Sequence, residues 1–590
     1  MNMMTIMVRS GWALRELLLL LLSVMTIATE AVPAMPGIKR QISLSDGTTV
    51  EVQLVGDEHA HCWVAADGRA FQERQLGVFE SVDVNALKLQ ADQRRQEFNE
   101  GFSHRLGLNR VGDVGSYFGQ KRGLIILVNF ADVTFTMEDA DGLFERIANE
   151  ENFSYGRFKG SVRDYFYAQS EGQFELTFDV VGPVNVSNNR VYYGGNKSNG
   201  GDSHPASMVI EACQQANSQV NFADYDWDGN GYVDQVYVVY AGKGEADGGS
   251  ADTIWPHTWK LSYAKSRGDG TGALKLDGVT IDTYACGPEL NGLNLVSGIG
   301  TICHEFSHCL GYPDFYDTDF SGGQGMWNWD LLDHGNYNDR GYQPAGYTSY
   351  ERWLAGWKTP VELLNSQRVK NMKPLQDGGE AYIIYNKGNK NEYFLLENRY
   401  QTGWDTSLSG GGLLIVHVDY NATAWKNNKP NDDPNHQRMT WIPADNEYQL
   451  NPNTKKYYDY GLAQDPFPFG DVNAFGPTTT PAAKLYNKNT NGTYFLDSSV
   501  EEITLNDDGT ISFVFRGIGE LPREILLGDA NDDGQVNVAD VMAIVNHILG
   551  NEVQTFVFEN ADLNADQTIN VSDVMRVVNI ILNLNPEAGE

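Results

Sequence analysis

The stretch CHEFSHCLGYPD, from Cys303 to Asp314, is the tightest constraint in the chain. His304 and His308 stand four apart, so on a helix both imidazoles share one face and one ion. Glu305 lies beside the first histidine and can point toward a water on that ion. The preceding LNLVSGIGTI supplies apolar residues for the start of a buried helix. Gly311 suits a left-handed stop, and Pro313 prevents the helix from resuming. The chain must then turn back, which brings Asp314 within reach as a carboxylate ligand. Two histidines and one aspartate leave a fourth position open, the pattern of a catalytic rather than a structural zinc. The bland alternative is a chance HExxH on a structural helix. The adjoining glycine and the spaced carboxylate weigh against it.

That ligand set implies a mechanism. Zinc lowers the pKa of its water and polarises a scissile carbonyl. Glu305 takes the water's proton and delivers it to the leaving amine.

The 590 residues exceed one core and suffice for three or four domains. With 78 acidic against 43 basic residues, the net charge of −35 argues against a nucleic-acid partner, since a phosphate backbone would be repelled. Arg9 and Arg15 precede the apolar run LLLLLLSVMTIA, and small residues follow in ATEAVPAM. This reads as a secretory signal peptide over residues 1–34, cleaved after Ala31 or Ala34. No later stretch approaches transmembrane length, so an exported protein without a membrane anchor is expected.

Past the leader, residues 35–115 alternate apolar and polar between turns and then become charged, reading as a small β unit and a helix in the place of a pro-segment. The run GLIILVNFADVTF, Gly123 to Phe135, begins a second core, and residues 116–360 alternate helical and strand patterns as an α/β domain does. Short strands with turn signals then favour a β-sandwich over 361–518. Residues 519–590 hold a linker and an internal repeat.

Two further constellations point to calcium. In DWDGNGYVD, Asp226, Asp228, Asn230, the Tyr232 carbonyl and Asp234 match loop positions 1, 3, 5, 7 and 9. Position 12 is Tyr237, so a closing carboxylate must come from elsewhere; the alternative is a polar hairpin turn. The C-terminal repeat offers Asp529, Asn531, Asp533, the Gln535 carbonyl, Asn537 and Asp540, then Asp562, Asn564, Asp566, the Thr568 carbonyl, Asn570 and Asp573. The loop glycine is Gly534 in the first copy but Gln567 in the second, which predicts a weaker second site. Calcium should drive folding of so small a segment.

Five cysteines in a chain this long are no disulfide framework. Cys303 and Cys309 are separated by roughly 9 Å along a helix and cannot bridge. They read as core thiols. A thiolate plug from Cys62 is the less favoured reading of that residue.

HEFSHCLGYPDFYD, WNWDLLDHGNY, GYTSYERWLAGW and DWDGNGYVDQVYVVYAG together resemble the immune-inhibitor-A-like secreted metalloproteases. The resemblance implies a zincin-type catalytic domain, with His304, His308 and Asp314 as zinc ligands and Glu305 as general base. One departure is Leu332, where that family carries a methionine under the metal; the volume is similar, so packing should survive. Met326 lies at another place in the pattern. Tyr347 and Tyr350 read as core aromatics rather than oxyanion donors. The C-terminal repeat resembles a type I dockerin, which implies a cohesin-like partner. The expectation is a zinc endopeptidase on protein substrates, made as a zymogen. Its rivals are an inactive protease-fold adhesion or scaffold-bound protein, and a zinc hydrolase of non-peptide amides.

Overall fold

A computed structural model describes residues 32–44, 47–89, 117–197, 200–319, 321–447, 462–523 and 525–583. The hydrophobic leader and most of the linker before residue 117 lie outside them. The charged stretch expected to be helical is described only at its start, where residues 84–89 are helical. The chain forms two compact units, residues up to 518 and residues from 519. Among the described residues no helix is long and apolar enough to cross a membrane.

In the first unit, the N-terminal β unit is an antiparallel meander of β1 (Lys39–Ser43), β2 (Thr49–Gly56), β3 (His61–Ala65), β4 (Ala70–Gln75) and β5 (Val78–Val82). Alternation places Val52, Leu54, Trp63 and Phe71 in one cluster, which also takes Ala246 and Trp255 from the following domain. The meander therefore packs on that domain through its own core.

The central sheet has the order β7-β6-β8-β12-β9. Its strands are β6 (Gly119–Asn129), β7 (Phe174–Asn185), β8 (Val236–Lys243), β9 (His257–Lys260) and β12 (Thr283–Leu290), with a small hairpin of β10 (Leu274–Leu276) and β11 (Val279–Ile281) between. The first four strands in that order pair in parallel and β9 adds an antiparallel edge. Both faces are covered, which is why β6 reads as a continuous apolar run. Ile125 and Leu127 face a cluster with Phe306 and Cys303 of the helix Gly300–Cys309. Leu124, Ile126 and Val128 face the opposite cluster, with Met208 and Val209 of the helix Pro205–Ala216.

The helix Gly300–Cys309 carries both candidate histidines, and two glycines let it approach its neighbour. A Cβ on Gly300 would lie 1.9 Å from the Asn336 carbonyl oxygen, and one on Gly298 would lie 2.2 Å from the Gly341 carbonyl carbon. Gly311, at φ +94°, makes the expected left-handed stop.

After residue 360 the strands are β13 (Val361–Glu362), β14 (Gln367–Met372), β15 (Ala381–Tyr385), β16 (Glu392–Arg399), β17 (Gly412–Asp419), β18 (Met439–Trp441), β19 (Ser499–Leu505) and β20 (Ile511–Arg516). They form sheets of order β13-β15-β16-β17-β18 and β14-β20-β19. Phe394, Leu396, Leu413 and Ile415 share a cluster with Phe513 and Phe515 of the smaller sheet. The alternate residues Tyr393, Leu395, Leu414 and Val416 face the cluster that holds Phe306. Arg399, fully buried between Glu397 and Asp405, donates to the Trp329 carbonyl at 2.9 Å. The β region is thus built into the wall behind the candidate site.

Among its described residues the second unit has two longer helices, Val538–Ile548 and Val571–Ile581, and a short one, Phe558–Ala561, over a core of Ala530, Ala543, Ile544, Ala561 and Val577.

Candidate metal centre

His304 and His308 lie on the buried face of their helix, and the turn after Gly311 returns Asp314 to them. Asp314 Oδ1 is 3.1 Å from His304 Nε2 and 3.6 Å from His308 Nε2, with all three side chains fully buried. The rings stand at 89° to one another. His304 Nδ1 donates to the Leu331 carbonyl at 2.7 Å, and His308 Nδ1 to the Tyr312 carbonyl at 2.9 Å. A carbonyl only accepts, so Nδ1 carries the hydrogen and each Nε2 presents a lone pair toward the carboxylate.

The arrangement fits a cation. His304 Nε2 and Asp314 Oδ1 are buried against each other, 3.1 Å apart, as an ion pair, an arrangement that an ion between them would satisfy. Burial lowers the pKa of His304, but the hydrogen bond and charge of Asp314 outweigh it and bring it to about 9. Burial holds His308 at about 4. Without a metal, one proton supplies the positive charge that this cluster needs.

Glu305 is fully buried on the neighbouring helical position. Its Oε2 accepts from Thr258 Oγ1 at 2.7 Å, and its backbone carbonyl accepts from Gln235 at 3.2 Å. Burial pushes its carboxyl well above the usual range, opposed by the charge of His304 and the Thr258 hydroxyl.

Residues 32–35, at the end of the segment read as a signal peptide, cover this carboxylate. Val32 N donates to Glu305 Oε1 at 3.0 Å, and Trp255 Nε1 donates to the Val32 carbonyl at 3.0 Å. Tyr337 OH donates to the Pro33 carbonyl at 2.8 Å, and Met35 N donates to the Ala246 carbonyl at 2.9 Å. His61, from the meander, stacks on Trp255 at 4.5 Å and pairs with Glu245 at 3.1 Å. Cys62 instead packs with Ala70 and Leu87, its thiol pushed up to about 12 by burial. The covering group is the backbone of residues 32–35, and the thiolate plug is discarded. Sequence reasoning missed Trp255 and Tyr337, because nothing in their local spacing marks them.

Leu332 is fully buried, and the turn that carries it meets the site through its backbone. Leu331 receives His304, and the Leu332 carbonyl accepts from Phe315 N at 2.8 Å. Met326 is buried in the same cluster. Tyr347 is fully buried with its hydroxyl on Ser307, and Tyr350 is fully buried too. Cys303 is buried and Cys309 half-buried, and no disulfide joins them.

In the loop 226–234, Asp226 caps Asn230 N and Gly231 N, Asp228 caps Asn230 N, and the Asn230 side chain caps Tyr232 N. Asp234 accepts from Trp227 N at 2.7 Å. These oxygens wind the loop but do not converge as a three-residue cluster. Asp317, Asp319 and Asp432 do, with one carboxylate oxygen from each within 4.8 Å of the others. The sequence hides this cluster because Asp432 stands far downstream.

In the second unit, Asp529, Asp533 and Asp540 converge in the same way. Asn531 Oδ1 accepts from Asp533 N, Gln535 N donates to Asp533, and Asn537 caps the first helix. In the second copy Asp562 accepts from Asp566 N and Gln567 N, Asn564 bonds to Asp566, and Asn570 accepts from Ser572 N and donates to the Thr568 carbonyl. Asp540 and Asp573 each close a capping box.

Residues 119–357 match the model of the immune inhibitor A peptidase M6 catalytic domain, and residues 527–582 match the dockerin type I domain. The chain carries a peptidase M6 domain and a type I dockerin domain. Pre-pro-metalloprotease PrtV of Vibrio cholerae serotype O1 (strain M66-2) is 27% identical over 285 residues, covering 40% of this chain and 30% of that protein. Immune inhibitor A of Bacillus thuringiensis subsp. alesti is 23% identical over 289 residues, covering 41% of each. The chain thus spans less than half the length of the curated relatives it matches. The M6 match ends at residue 357, yet the β region beyond it reaches the centre.

Proposed function

We propose that the protein is a secreted zinc-dependent endopeptidase acting on protein substrates, described here in its latent form. The observation that carries this reading is the convergence of His304, His308 and Asp314 on one buried point, with Glu305 beside them. When bound, zinc supplies Lewis-acid polarisation of the scissile carbonyl and acidifies water. His304 and His308 hold it through Nε2, each oriented by the carbonyl at its Nδ1, and Asp314 holds it through Oδ1. Glu305 accepts the proton of the attacking water and returns it to the leaving amine. Thr258 fixes which carboxylate oxygen is free to do so, and burial raises the pKa of Glu305, which makes it a stronger proton acceptor than an exposed carboxylate.

In the described form Val32 N occupies that free oxygen, so residues 32–35 must leave before substrate enters. This favours leader cleavage after Ala31, which keeps Val32 at the head of the pro-segment that continues through 35–115. The dockerin domain is read as a calcium-dependent docking module for a cohesin-like partner, and the leader as the export signal. The facing sheets after residue 360 are read as a β-sandwich and the central domain as a zincin. A calcium ion at 226–234 remains part of the proposal.

One experiment tests the core of it. Casein hydrolysis should appear once residues 32–115 are removed, and Glu305→Ala should lower it by about 10²–10⁴-fold while zinc content stays unchanged. Activity that survives Glu305→Ala would overturn the mechanism. Absence of zinc from the purified protein would favour the inactive adhesion protein.

A further inference from the structure

The aspartate of the ligand set is gripped by a residue far outside the matched catalytic domain. We propose that Asn428 is a positioning residue for the metal centre, so that the β region completes a site the catalytic domain does not finish alone. Asn428 Nδ2 donates to Asp314 Oδ2 at 2.7 Å, and Asn428 Oδ1 accepts from Asp314 N at 2.6 Å. The two bonds hold the backbone and the side chain of the aspartate together. They consume Oδ2 and leave Oδ1 turned to the histidines.

The residue type is dictated by both partners. A backbone N–H requires an acceptor and a carboxylate requires a donor, and a carboxamide in one orientation offers both from separate atoms. An aspartate there would set two anions together, and a glutamine is one carbon too long for the same ring. Asn428 is buried at 3% exposure and sits at φ +51°, a left-handed position that asparagine tolerates better than other side-chain-bearing residues.

The rest of the segment fixes the loop that Asp314 begins. The Asn428 carbonyl accepts from Thr318 Oγ1 at 3.2 Å, and Asp432 Oδ1 accepts from the same hydroxyl at 2.8 Å. Asn431 Nδ2 donates to the Phe315 carbonyl at 2.7 Å, while its Oδ1 accepts from Met439 N at 3.0 Å, where β18 begins. These Asn431 bonds tie Phe315 to the start of β18 and touch no metal ligand. Asn431 grips the same loop without touching a ligand, which makes it the natural control.

This inference rests on the reading of His304, His308 and Asp314 as zinc ligands. The test is zinc affinity of the full chain, measured by competition with a chromophoric chelator, together with thermal unfolding of the zinc-free protein. Asn428→Gly removes the carboxamide and suits the left-handed backbone. It should weaken zinc binding by about 10–100-fold. Asn428→Ala, which also removes both groups, carries the same expectation should the glycine variant fail to fold. Asn431→Ala should lower the unfolding temperature and leave zinc affinity at the wild-type value. Wild-type affinity in the Asn428 variants, or an equal loss in Asn431→Ala, overturns the proposal. Wild-type affinity in Asp314→Ala overturns the ligand reading beneath it instead.

Discussion

The buried centre of the first unit and the acidic loops of the second both gather carboxylates, but they stand in opposite relations to their folds. Around His304, His308 and Asp314, the cluster on one face of the central sheet, with residues of β16 and β17, surrounds the site. The geometry is fixed by protein groups: the Leu331 and Tyr312 carbonyls, and the carboxamide of Asn428. In the second unit five small or aliphatic residues form the core, and the acidic loops make up much of what joins the helices. On the proposed reading, a metal would add chemistry to the first and structure to the second. Burial of so little apolar surface leaves a domain marginal without a staple.

Chelation should separate the two most sharply. In excess EDTA the second unit should lose its helical signal and its protection from protease, while the first unit keeps a cooperative thermal transition. Restoring calcium should restore the helices; restoring zinc alone should not. A second unit that stays folded in EDTA would end the distinction.

Within the second unit the copies differ at one backbone position. Gly534 sits at φ +81° and Gln567 at φ +63°, so the second loop holds a side chain in the left-handed region. That conformation costs a residue other than glycine about 1–2 kcal/mol. Asp529, Asp533 and Asp540 converge, whereas the second copy gives no such cluster among the described residues. Gln567→Gly should therefore strengthen the weaker calcium event in calorimetry by about fivefold, near 1 kcal/mol. Asp529→Ala should disturb folding more than Asp562→Ala. Equal effects would mean that the copies are equivalent.

Legibility in the sequence follows the same division. His304, His308, Glu305 and Asp314 were readable because helical spacing and a glycine stop are local rules, and the structure brings them together as expected. The acidic repeat was readable for the same reason. Asn428, Asp432, Trp255 and Tyr337 were not, because each reaches the site across a long loop or from another sheet, and no spacing rule spans that distance. The strands of the β region were legible as short runs between turn signals. That one face of β16 and β17 packs against the core of the helix Gly300–Cys309 was not, since an apolar run tells that both faces are buried and not what buries them. At Leu332 a volume similar to that of methionine predicts that packing survives, and the side chain is fully buried in the cluster that holds Phe306.

The smallest expected effect concerns the electrostatic staples of the first unit, which are its own side chains. Burial would raise the pKa of Glu392, but the hydrogen bond and charge of His417, with Tyr486 N and the Asn386 amide, bring it down to about 2. Its Oε1 lies 3.0 Å from His417 Nε2, and His417 stacks on Phe394 at 4.4 Å. The folded-state pKa is below the ordinary carboxyl value of about 4.3. The interaction therefore stabilises the fold above that pH and is lost as pH falls from there toward about 2. Glu392→Gln should lower the unfolding temperature at neutral pH and flatten its fall through that acid window, with or without calcium. A wild-type slope in the variant would show that other carboxylates carry the acid limb. A calcium-dependent difference would show that the first unit also leans on an ion, and the contrast between the units would narrow.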